Sequence, residues 1–226
     1  MAGEDLGDAA IALQLAQRRR QRVGEGGVVG LDGHAEGPVV DLQLGHLHDF
    51  DDEAARKAVE TLKQKEHDGY HYEAAEASFD LLLRREAGQY KSLFKFESFK
   101  VQTELRAGEK VETEAIVKIK VGDERYVEVA EGNGPVNALD KALRQAITRH
   151  YPELKKIELT GYRVRILDTA HGTGAGTRVL LDSKHEEGGD SWGSIGVSPN
   201  IIEASWEALV DSLAYAFQNG SGSDGD

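Results

Sequence analysis

From Glu114 to Val121 the chain alternates. Ala115, Val117, Ile119 and Val121 set an apolar side against Glu114, Lys118 and Lys120, and Ile116 alone spoils the polar side. A period of two marks a strand with one buried face. Phe94, Phe96, Phe99 and Val101 open a strand before it, Gly122-Asp123 makes a tight turn, and Tyr126 to Ala130 forms a third strand. The period then lengthens. Val136, Leu139, Leu143, Ala146 and Ile147 recur at helical spacing, which predicts a helix from about Val136 to His150.

The same order returns. Tyr162 to Leu167 reads as a strand, with Val164 and Ile166 alternating against Arg163 and Arg165. Thr177 to Asp182 and Ser191 to Val197 supply two more, and a helix follows through Phe217. Gly132 and Gly196 lie 64 positions apart, each three residues before a proline that opens a helix. Proline suits the first helical position because it has no amide hydrogen to lose there. The pattern is a duplicated βββα unit. Each unit leaves one sheet face to cover, and two units can cover each other.

Residues 50–89 read as a helical hairpin that forms a linker subdomain. Asp51 or Asp52 caps a helix to about His67, with Ala54, Ala55, Ala58, Val59 and Leu62 on one face. Gly69 ends it, and a second helix runs from about Glu73 to Arg85 on Ala74, Ala77, Phe79, Leu81, Leu82 and Leu83. Residues 1–49 contain no Lys, Ser, Thr, Asn, Tyr or Trp, an odd palette for a folded surface, and are expected to be poorly ordered. Residues 218–226 are a polar tail with the same expectation. The fold class is therefore α+β, with the duplicated unit spanning residues 90–217.

Composition narrows the function classes. The 226 residues carry 40 acidic and 27 basic side chains, a formal charge of −13, which disfavours a nucleic-acid partner. Cysteine is absent, so disulfides, thiolate metal sites and thiol nucleophiles are excluded, and a reducing, cytoplasmic setting is expected. No apolar run is long enough to cross a membrane, and the first residues lack a signal pattern.

The stretch Glu131-Gly-Asn-Gly-Pro-Val-Asn-Ala-Leu-Asp140 resembles the C-terminal regulatory domain of the 2-isopropylmalate synthase and citramalate synthase family. Gly69–Leu82, Tyr162–Asp168 leading to Gly172-Thr173, and Trp192–Ser212 are similar to that family too. The resemblance covers about residues 51–217, and its Gly69–Leu82 part looks more like the citramalate branch. It implies a domain that forms a homodimer and binds leucine or isoleucine as a feedback effector between two-fold-related units. It also implies a partner TIM barrel, where acetyl-CoA is joined to a 2-keto acid on a divalent metal. Such a barrel needs roughly 250 residues. The residues before the hairpin are too few and of the wrong composition for one, so the chain is expected to have no condensing activity and no cofactor of its own. Two alternatives stand beside this reading: a free-standing branched-chain amino-acid binding module, and a purely structural dimer.

An amino-acid effector needs an acceptor for its ammonium, amides for its carboxylate and an apolar pocket. Asp168, at the end of a strand, is placed to take the ammonium, and Gly172, Thr173 and Ala175 to line the cavity. Asn133 and Gly134 before Pro135, and Pro199 with Asn200, mark helix starts whose unpaired amides suit a carboxylate. The competing reading, that Gly172, Gly174 and Gly176 are only a hairpin turn, stays open on the sequence.

Other motifs carry less. His46-x-His48 imitates a metal pair but lacks a barrel strand and a partner carboxylate. Gly24-x-Gly-Gly-x-x-Gly30 follows an Arg-rich segment instead of a strand, so it is not a dinucleotide loop. Gly69 breaks the helix that would bring His67 and His71 to one metal, and His171 is a lone loop histidine. No Gly-x-Ser-x-Gly elbow surrounds a serine. Trp192 and Trp206 read as core or dimer-interface residues.

Overall fold

The structure is a computed structural model and describes residues 52–167, 175–186, 188 and 191–220. Residues 1–51, including His46, His48 and the candidate cap Asp51, lie outside the described residues. Contacts divide the chain into a smaller unit, up to Asp68 with Leu82–Gln89, and a larger one, Gly69–Leu81 with Tyr90 onward.

In the smaller unit, helix α1 spans Asp52–His67 and buries Ala58 and Leu62. The Thr61 hydroxyl donates to Glu86 at 3.0 Å. Glu86 ends helix α2, Glu76–Glu86. The expected start of α2 at Glu73 is corrected. Tyr72–Ala74 form a 3-10 turn, and Ala75 then leaves helical geometry with φ −146° and ψ 48° before α2 begins.

The larger unit holds the duplication. Strands β1 (Lys95–Glu104), β2 (Glu112–Val121) and β3 (Glu124–Gly132) form an antiparallel sheet in that order, followed by α3 (Pro135–Ile147). Strands β4 (Ile157–Ile166), β5 (Thr177–His185) and β6 (Ser191–Ser198) repeat the arrangement, followed by α4 (Ile201–Gly220). The inward faces of both sheets and both helices share one core, built from Val117, Ile119, Leu139, Leu143, Val179, Leu181, Leu209 and Leu213 among others. Burying each such leucine contributes about 1.5–3 kcal/mol. The tryptophans belong to this core: Trp206 lies among Phe94, Phe96 and Phe99, and Trp192 donates to the Ser212 hydroxyl at 3.2 Å. A register shift between Phe96 and Ser98 lets Phe96 and Phe99 both reach Trp206.

Three expected boundaries move. Helix α3 stops at Ile147 instead of reaching His150, because the Thr148 hydroxyl bonds back to the Arg144 carbonyl at 2.7 Å and Pro152 starts a 3-10 turn. Strand β4 begins five residues before Tyr162, through a bulge between Leu159 and Gly161. Helix α4 runs on to Gly220, so the expected tail from residue 218 starts inside it; the Gln218 side chain reaches the Ala214 carbonyl at 3.4 Å.

Gly132 and Gly196 play matching parts in the two halves. A Cβ on Gly132 would lie 2.4 Å from the Ala138 amide nitrogen, and one on Gly196 would lie 2.0 Å from the Ala204 carbonyl oxygen. Each glycine lets the third strand of its unit touch the backbone of the following helix.

Strand β6 is an edge, yet its outward amides are satisfied. Gly193, Ile195 and Val197 donate to Glu76, Ser78 and Glu207 at 2.9, 3.0 and 3.2 Å. Tyr70, Ala75 and Ile195 form a small second core over the outer face of the β4–β6 sheet, with Tyr72, Leu180 and Val197 packed against it.

Candidate functional site

The first turn of α3 is where the chain offers chemistry. Gly134 precedes it with extended backbone (φ 178°, ψ 174°), Pro135 occupies its first turn, and no side chain caps it. The Ala138 amide is the first to bond back, to the Gly134 carbonyl at 3.0 Å. The amides of Val136 and Asn137 therefore point outward from the positive end of the helix. Asn133 is exposed, and its amide donates to the Asn137 side chain at 3.2 Å.

The start of α4 differs, and Pro199 is corrected as its opening residue. The helix begins at Ile201, with Asn200 as its cap: the Asn200 side chain accepts the Ile202 amide at 2.9 Å. The Asn200 amide donates to Ser198 at 3.0 Å, and Ser198 donates to Glu203 at 2.6 Å. The end at Asn200 satisfies itself, while the end at Pro135 stays open.

Beside that open end lies a cavity of about 340 Å³ between α3 and the β4 bulge, lined by Val136, Asn137, Asp140, Leu159, Thr160, Gly161, Tyr162 and Leu181. Val136, Leu159 and Leu181 give it an apolar wall. Asp140, one turn into α3, gives it a carboxylate. Burial pushes the Asp140 carboxyl above its ordinary 3.8, and the Arg144 guanidinium opposes that shift. Arg144 bonds one Asp140 oxygen at 2.8 Å and the Leu154 carbonyl at 3.1 Å, which fixes the carboxylate by its helix neighbour. Tyr162 contributes its ring and spends its hydroxyl on Ser205 at 3.0 Å. Thr160 spends its hydroxyl on the Asp182 carbonyl at 3.2 Å.

The arrangement offers outward amides, a fixed carboxylate one turn away and an aliphatic wall. Those are complementary to a zwitterion with an apolar side chain. Gly134, named from the sequence, sits at the start of the helix that forms this cavity. Of the second sequence-derived group, Asp168, Gly172 and Thr173 lie outside the described residues, as does His171. Ala175 is buried, and the Gly176 carbonyl accepts the Leu167 amide at 2.8 Å, closing the base of that loop. Sequence reasoning missed Asp140, Leu159 and Leu181. Asp140 stood inside the quoted Gly-Asn-Gly-Pro stretch, and its spacing of four from Val136 was the available signal.

On β4, Tyr162, Val164 and Ile166 share one side of the strand and stay 44%, 43% and 56% exposed. The expected half-buried alternation is thus present in pattern but uncovered in place, and this apolar strip is continuous with the cavity through Tyr162.

The family described as LeuA allosteric (dimerisation) domain matches residues 73–217. An (R)-citramalate synthase of Streptomyces coelicolor is 48% identical over 166 residues, which cover 73% of this chain and 31% of that protein. One of Geobacter sulfurreducens is 44% identical over 168 residues, again 31% of its length. A 2-isopropylmalate synthase of Erwinia tasmaniensis is 31% identical over 120 residues, 53% of this chain and 20% of that protein. The chain thus spans about a third of the length of the citramalate synthases it matches.

Proposed function

The chain belongs to the LeuA allosteric (dimerisation) domain family, and on that premise we propose that it is the regulatory and dimerisation part of an acyltransferase that condenses acetyl-CoA with a 2-keto acid, of the citramalate or 2-isopropylmalate synthase type. Its task is to bind leucine or isoleucine as the feedback effector of branched-chain amino-acid biosynthesis in the cytoplasm. Condensation belongs to a catalytic barrel outside the described fold.

The observation that carries this reading is the cavity at the start of α3. The effector ammonium pairs with Asp140, its carboxylate takes the amides of Val136 and Asn137, and its branched side chain lies on Leu159 and Leu181. Two copies associate through the exposed strip of Tyr162, Val164 and Ile166, which brings the second copy to the cavity mouth.

Titration calorimetry of the chain with leucine and with isoleucine tests the effector. Saturable heat for either, lost in Asp140→Asn, supports the site. No heat and no thermal shift for both leaves only a structural dimer. An assay of thiol release from acetyl-CoA with pyruvate or 2-ketoisovalerate tests the division of labour, because turnover by the chain alone would overturn it.

A further inference from the structure

The β4–β6 sheet carries a second feature on the face away from α4. Arg165 and Arg178 are direct cross-strand partners of β4 and β5, so their side chains leave the same face side by side. Like charges in that position repel, and nothing about strand pairing requires them. Arg178 is also only 7% exposed. Its guanidinium donates twice to one neutral acceptor, the Gly69 carbonyl, through Nε at 2.6 Å and through Nη2.

Among the described residues, no carboxylate forms an ion pair with either arginine. Two on this face are already engaged: Asp182 is bonded to Arg163 at 2.8 Å, and Glu158 lies 3.4 Å from Lys184. Glu207, at the far edge, takes the Tyr70 hydroxyl and the Val197 amide. Arg165 has no ion pair among the described residues. Arg178 keeps its Nη1 donors beyond the two spent on Gly69. They are not sealed in, since no fully enclosed side-chain nitrogen or oxygen lacks a partner among the described residues. A buried, unbalanced guanidinium with a second one beside it is costly to fold around.

We infer that Arg165 and Arg178 form a receptor for a small oxyanion, a carboxylate or a phosphate, held between two guanidinium forks on the outer face of β4 and β5. Arg178 is the fixed half, oriented by Gly69. Arg165 is the exposed half through which the anion arrives. The anion balances both charges, and planar forks suit the paired oxygens of either group. This receptor is separate from the cavity at α3 and does not depend on the effector reading.

The test is calorimetric titration with inorganic phosphate and, separately, acetate, against chloride at equal ionic strength. Saturable one-to-one binding of either is expected, and the tighter of the two identifies the source. Arg165→Ala, which removes an exposed side chain and spares the fold, should weaken binding about tenfold or more. Arg165→Lys should recover only part of the loss, because it keeps the charge without the fork. Absence of saturable binding for both anions, or an affinity unchanged in Arg165→Ala, overturns the inference. Binding that appears only in Asp168→Asn also overturns it, because the chain's own carboxylate would then be the occupant.

Discussion

Tyr70 and Glu207 stand 137 positions apart, and the phenol hydroxyl donates to the carboxylate at 2.6 Å. Glu207 also accepts the Val197 amide at 3.2 Å, so one carboxylate ties the segment after Gly69 to both β6 and α4. Burial first, and then the Glu207 carboxylate, drive the phenol far above its ordinary 10.0. The folded chain therefore holds this proton more tightly than the unfolded chain. The resulting stability is complete below pH 10 and is lost as the pH climbs toward the raised folded value. Tyr70→Phe should cost about 2 kcal/mol at neutral pH and flatten the alkaline limb of a denaturation series. An alkaline limb of unchanged slope would show that another group sets it.

Asp140 is predicted to govern effector binding through its charge. Its carboxyl is raised by burial, so it gains its proton at a higher pH than an ordinary carboxylate with a value of 3.8. Only the ionised form takes an ammonium. Affinity for leucine or isoleucine should fall on acidification, with a midpoint above that ordinary value, and Asp140→Asn should bind weakly at every pH. Calorimetry across the acid range reads both effects, and an affinity flat with pH in the parent chain would count against Asp140 as the ammonium partner.

The paired glycines predict an asymmetric mutation series. Gly132→Ala and Gly196→Ala each force a methyl group into helix backbone, at 2.4 and 2.0 Å, and should each cost about 1–3 kcal/mol. Gly134→Ala places its methyl group in open space on extended backbone, and should change stability by less than about 0.5 kcal/mol. Urea denaturation of the three variants gives the comparison; equal losses at Gly134 and Gly196 would refute the close-approach account.

Ser78 is predicted to matter beyond its size. It is 3% exposed, and its hydroxyl accepts the Ile195 amide at 3.0 Å. Ser78→Ala leaves that buried amide unpaired at a cost of about 1–3 kcal/mol, while Ser78→Thr keeps the oxygen. Amide exchange at Ile195 should quicken in the alanine variant and not in the threonine one.

The repeat was legible because period and punctuation agreed. Ala115 to Val121 alternates, Ile116 apart, since the other side of β2 faces outward, and the recurring glycine and proline marked both helix entries. Strand β6 was harder. Trp192 through Ser198 is buried on both faces, so small residues follow contact: Ser194 meets the Ala208 carbonyl and Gly196 the Ala204 carbonyl. The cavity at α3 was legible only in part. The open helix start at Pro135 could be read locally, but Leu159 and Leu181 join it from 24 and 46 residues further along, through a bulge that periodicity does not announce. Pro199 misled because proline near a helix also serves just ahead of its cap.

The side chains that occupy the amides of β6 also decide where this polypeptide can be severed. A fragment trimmed to begin at Tyr90 keeps every strand and helices α3 and α4, yet loses Glu76, Ser78 and the Tyr70 ring. It would bare Gly193 and Ile195 along a raw border with vacant donors, an invitation to strand-to-strand clumping. Any minimal piece meant for crystallisation or fusion should therefore start no later than Gly69.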